Sequence, residues 1–181
     1  MFLPAAALMN GPAAAAGGVH VFGGTLTAAL GSTSPNQQGR TWLGKWPLAA
    51  AATVRAIRMR AGASSSGTGQ WKGVLYDATG AGGLPGALLA VGAAVNHPAA
   101  GAIGVSALAS ALVLATGDYW IGMVSNDTAG STGCDSGGGT SGVIRGALLN
   151  NSGAAFFTTP VNPAGASPVT YQTLLNFDTT D

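Results

Sequence analysis

Thirty glycines and nine prolines punctuate this 181-residue chain, and they leave no long stretch with the apolar repeat of an amphipathic helix. What remains is a series of short apolar runs, each closed by a turn cluster. Residues 53–60 (TVRAIRMR) and 70–77 (QWKGVLYD) read as strands because β-branched and aromatic side chains recur in them. So do 118–124 (DYWIGMV), 143–149, 154–158 and 171–177, with shorter pieces at 20–22 and 25–27. Residues 88–95 resume extended character after Pro85-Gly86 and stop at Asn96-His97-Pro98. Residues 103–114 carry enough alanine for a helix, but Gly101, Gly104 and Gly117 bracket them closely. The alanine-rich 48–56 is equally ambiguous. Residues 31–39, 61–69 and 125–142 read as loops. Short strands separated by Gly/Pro turns predict an all-β, jelly-roll-like antiparallel β-sandwich over residues 19–181. Residues 1–18, almost entirely Ala, Gly and Pro, predict an extended N-terminal arm that is ordered only against a neighbour.

Core material is thin. Leu, Ile, Val and Phe together number 38, and each ordered glycine adds backbone entropy that folding must overcome. Charged residues are only 7% of the chain, with no glutamate and a net charge of +1, against roughly 25% in an ordinary domain. A chain with little core and few surface charges gains burial from partner subunits, so an oligomer is expected. Self-repulsion is too weak to keep it unfolded. The start, Met1 to Leu8, lacks a basic segment and is interrupted by Asn10, Gly11 and Pro12, so it does not read as a signal peptide. No run reaches the roughly 18 apolar residues that cross a bilayer, and no membrane partner is expected. The single cysteine, Cys134, builds neither a disulfide framework nor a cysteine zinc site.

Two motifs stand in a fixed order. Leu75-Tyr76-Asp77, Gly80, Leu84-Pro85-Gly86 and Leu88-Leu89-Ala90 come first, followed by Leu114, Gly117 and Tyr119-Trp120-Ile121. Over roughly residues 40–125 this order resembles a recurrent jelly-roll-like β-sandwich module found in bacteriophage virion proteins and in carbohydrate-binding modules. The resemblance implies a fold and two uses, particle structure or glycan attachment, and no reaction. Tyr119 and Trp120 are adjacent in one strand and so point to opposite faces.

Residues for chemistry are few. His97, in Asn-His-Pro, reads as a solvated turn histidine. Gly104-Val105-Ser106-Ala107-Leu108 lacks the second glycine of a nucleophile elbow. The aspartates sit mostly beside turn residues, and Asp77 and Asp118 form a carboxylate pair only if the fold brings them together. Catalytic residues and cofactors are therefore not expected. Asn126, Asp127 and Asp135 offer hard oxygen ligands for calcium, without EF-hand spacing and against the plain reading of a polar loop. Trp42, Trp46, Trp71 and Trp120 are the aromatic candidates for sugar contact, with core packing as the competing use. Trp42 and Trp46, near Pro47, are expected at an edge or interface. Arg55, Arg58 and Arg60 share one strand, where they solvate its face or bond neighbouring carbonyls. Without a larger basic stripe, no nucleic-acid partner is expected. The sequence thus leads to a non-enzymatic virion structural protein, a capsid decoration, head-spike, tail or fibre component, whose partners are other virion proteins and its own copies. The alternative is a carbohydrate-binding module that attaches to a host-surface glycan.

Overall fold

The computed structural model describes residues 19–23, 26, 41–62, 69–127, 146–149, 154–160, 167–169 and 177–181. The expected arm at 1–18, Cys134, Asp135 and most of the expected strand at 171–177 lie outside the described residues.

The fold is an all-β antiparallel sandwich of two sheets. One is four-stranded, in the order β1 (His20–Gly23), β11 (Phe177–Thr180), β3 (Ala52–Arg60) and β7 (Ile103–Leu114). The other is seven-stranded. It runs β10 (Ser167–Val169), β9 (Gly146–Leu149), β2 (Thr41–Leu48), β8 (Gly117–Ser125), β4 (Gln70–Asp77) and β5 (Leu88–Val91), with β6 (Val95–Asn96) also paired to β4. The expected strand at 88–95 is therefore split in two. Residues 103–114 settle as a strand of 12 residues. Its pairing with β3 fixes an extended backbone that alanine alone would not choose.

Side-chain alternation places the core. Trp42 and Leu48 of β2, Trp71 and Leu75 of β4, and Tyr119, Ile121 and Met123 of β8 face the other sheet. There they meet Phe22, Val54, Ile57, Met59 and Leu114. Phe22 and Tyr119 pack edge to face, with ring centroids 5.8 Å apart. The sheets approach closely at Gly73, where a Cβ would lie 2.6 Å from the Ile57 Cβ.

The opposite parity of the same strands is also apolar. Leu43, Val74, Tyr76, Trp120 and Val124 form a second cluster on the outer face of the seven-stranded sheet. Trp120 and Tyr119 do occupy opposite faces, as adjacency in a strand requires, and both are buried. Ala78, Leu88, Val91 and Phe157 cover this cluster. Phe157 belongs to α1 (Ala154–Thr158), which corrects the strand expected there. One helical turn, closed by the Thr159 N–H on the Ala155 carbonyl (3.0 Å), lays the Phe157 ring on the sheet and under the Lys72 ammonium (4.7 Å). Docking of one aromatic ring outweighs the strand preference of the Phe-Phe pair.

Candidate functional site

The four tryptophans are placed very differently. Trp71 and Trp120 are 0% exposed and Trp42 is 3% exposed, so their rings are closed to any ligand. The Trp120 indole N–H donates to the Gly83 carbonyl (3.1 Å), and the Trp71 ring lies against Gly104, where a Cβ would be 3.0 Å from its Cζ2. The edge position expected for Trp42 is corrected: residues 41–44 of β2 run between β8 and β9 inside the larger sheet. At Trp46 the same strand pairs with β8 alone among the described residues, so this ring stands at an edge of the described sheet.

Trp46, partly buried, is the exception. It lines a groove of about 580 Å³ bounded by His20 to Gly23 of β1 on one side and by Pro47, Leu48 and 49–52 on the other. The volume falls within the range of small-molecule sites. The walls are mostly apolar, and their polar side chains are His20 and the Trp46 indole, whose buried N–H has no hydrogen-bond partner among the described residues. The His20 ring is held by its Nδ1, 3.2 Å from Asp178 Oδ2.

Asp178 is the hub of the four-stranded sheet's outer face. Its side chain is 3% exposed, and it accepts a two-pronged bond from Arg58, with Nε to Oδ1 at 2.7 Å. That hydrogen bonding outweighs burial and keeps the guanidinium protonated even more firmly than usual. Arg60 donates to the carbonyls of Leu26 and Gly101, while Arg55 is exposed. Arg60 thus bonds carbonyls and Arg55 solvates the strand, as expected, whereas Arg58 departs from the expectation by pairing with a buried carboxylate.

A second polar cluster was not foreseen. His97 is 3% exposed, not solvated, and its Nε2 lies 2.9 Å from the Ser125 hydroxyl. Asp127, 5% exposed, stands near enough to act on the ring through its charge. The residue types match a Ser-His-Asp triad. Ser125, however, is 0% exposed, and its hydroxyl already donates to the Gln70 carbonyl (3.2 Å) and accepts the Asp127 N–H (3.0 Å). A nucleophile so enclosed and so fully bonded meets no substrate in this arrangement. No local motif announces the cluster, since Ser125 is 28 residues from His97.

Asp77 and Asp118 do not form a carboxylate pair. Asp118 is matched by Lys45 at 2.9 Å. Asp77 Oδ1 accepts the Thr79 hydroxyl (2.7 Å), the Thr79 N–H (3.1 Å) and the Ala87 N–H (2.8 Å). Of the calcium candidates, Asn126 Oδ1 is occupied by the Gln70 N–H (2.7 Å), Asp127 is buried, and Asp135 lies outside the described residues. Among the described residues no group of three His, Cys, Asp or Glu is arranged to hold a metal, and no helix is long and apolar enough to cross a membrane. No protein-family model, curated protein or solved structure matches the chain, so what stands is the fold itself: an all-β antiparallel sandwich of two sheets.

Proposed function

We propose that this chain is a non-enzymatic structural subunit of a bacteriophage particle, a capsid decoration, head-spike, tail or fibre component, acting through contacts with its own copies and with other virion proteins. The observation that carries the reading is the edge strand β7. Natural edge strands are guarded by charge, proline or a covering element. None of the 12 residues of β7 is charged or proline. Val113 is 74% exposed, Ile103 is 48% exposed, and Ala109, Ser110 and Ala111 are all exposed. The first half of that edge is partly covered by the bridge from Gly92 to Leu108 and the Ala93 N–H on the Ala107 carbonyl. Beyond Leu108, no strand among the described residues pairs with it. An unguarded apolar edge on a chain this poor in charge suits a subunit whose edge is covered on assembly. Light scattering of the full chain tests this. Wild type is expected to self-associate, and Val113→Lys to shift it towards monomer. A monomer at 100 µM, on the order of a weak-interface concentration, unaffected by the substitution would overturn the reading.

One observation favours a second reading, glycan attachment: the groove that Trp46 lines against β1. A glycan array that shows binding lost in Trp46→Ala would move the proposal to a carbohydrate-binding module. A blank array leaves the assembly reading in front.

A further inference from the structure

A single hydroxyl joins three stretches of chain at the end of the sandwich where β4 begins and β8 finishes. The Ser125 Oγ bonds the Gln70 carbonyl, the Asp127 N–H and His97 Nε2. Around it the Gln70 N–H donates to Asn126 Oδ1 (2.7 Å), the Asn126 N–H donates to the Gln70 carbonyl (3.0 Å), and the His97 N–H donates to the Gly69 carbonyl (3.1 Å).

Counting protons assigns the imidazole. Ser125 has one proton, and it goes to the Gln70 carbonyl, so His97 Nε2 carries the ring proton and donates to Ser125. His97 Nδ1 is then a buried lone pair without a hydrogen-bond partner among the described residues. The opposite tautomer would bury an orphan N–H, which proteins avoid more strongly than an orphan acceptor. A second proton on Nδ1 creates a buried charge and a donor that no described residue accepts in this arrangement. The segments meeting here bring Gly69, Gln70, Ser125 and Asn126, none ionisable, and Asp127, whose carboxylate favours the charged ring. Burial prevails over Asp127 and lowers the imidazole to about 4 from 6.5.

We propose that His97 and Ser125 form an acid-released clasp, which keeps this end of the sandwich closed at neutral pH and opens it, with both sheets otherwise intact, when the imidazole takes its second proton. The sign follows from linkage. An opened His97 regains its ordinary affinity for a proton, so acidification favours the open form once the pH drops below about 6.5. At pH 5 the opening equilibrium is expected to rise about 30-fold over its value at pH 7.5. The clasp does not depend on the assembly reading.

Amide hydrogen exchange of the full chain, corrected for intrinsic rates, tests it. The amides of Gln70, Trp71, His97, Asn126 and Asp127 are expected to lose protection on going from pH 7.5 to pH 5. Those of Val54 and Ile57 in β3 should stay protected while the clasp amides exchange. His97→Gln should abolish the pH response. Three results each overturn the proposal: unchanged protection at the clasp, simultaneous loss at clasp and β3, or a full response in His97→Gln. Should that variant not fold, the wild-type His97 ring signal in NMR decides, assigned with the help of a His20→Asn variant. A ring still neutral at pH 5 supports the clasp, and a midpoint near 6.5 refutes it.

Discussion

The seven-stranded sheet carries apolar side chains on both faces, whereas the four-stranded sheet gives its outer face to Arg58, Asp178 and His20. The first arrangement needs a cover, supplied by the turn after β4 and by Phe157. The second is held by the two-pronged bond between Arg58 and the buried Asp178, with the half-exposed His20 ring on the same carboxylate. A chain with so little charge thus concentrates part of it on one face and buries the corresponding face of the other sheet with aromatic rings. The stability of the two outer faces accordingly has different origins, area for one and paired charge for the other.

Removing a ring should break that difference most sharply. Trp120→Ala is expected to cost about 3–5 kcal/mol in denaturant unfolding, and to loosen the turn by freeing the Gly83 carbonyl. On the other sheet, Asp178→Ala strands the Arg58 guanidinium, whose side chain is 17% exposed. A loss of about 2–3 kcal/mol is expected, at or below the low end for a buried pair because of that exposure. Replacing both by apolar residues, Arg58→Met with Asp178→Leu, should cost less than the sum of the single changes. If Trp120→Ala and Asp178→Ala instead showed the same dependence on salt, the distinction between area and charge would fail.

Asp77→Ala should cost about 1–2 kcal/mol by removing the acceptor that pins the covering turn. Burial opposes ionisation of Asp77, but the bonds from Thr79 and Ala87 prevail and hold its carboxyl below the usual 3.8. Its contribution is therefore present above that pH and is lost as pH falls through the lowered value, so unfolding curves of wild type and variant should converge in acid. Smallest of all, Lys45→Ala breaks an ion pair with the half-exposed Asp118 and should cost less than about 1 kcal/mol, measured in the same way.

Much of this architecture can be read from residue order. The runs at 53–60, 70–77 and 118–124 are strands because their β-branched and aromatic residues fit a pleated surface on one or both faces. The two ordered motifs also acquire a physical reason for occurring together. Tyr76 and Trp120 are paired across β4 and β8, Asp77 organises the turn, and a Cβ at Gly86 would lie 2.1 Å from Asp77 Oδ1. The Trp120 indole then reaches across to that turn at Gly83. What could not be read depends on distant partners. Asn96-His97-Pro98 looks like any exposed turn until Ser125 and Asp127 close over the ring. Trp42 lies near Pro47, yet pairing with both β8 and β9 draws its half of the strand inside the sheet. The helix at Ala154–Thr158 exists because a distant apolar face accepts Phe157. Sheet order obeys the same limit, since β11 inserts between β1 and β3 from the far end of the chain.

The claim that this molecule works by covering an unguarded strand edge is open to one direct measurement, the exchange rates of the Ala109 to Val113 amides at low and at high protein concentration. Slower exchange at high concentration, confined to that stretch and lost in Val113→Lys, is the predicted result. Rates independent of concentration would contradict the account.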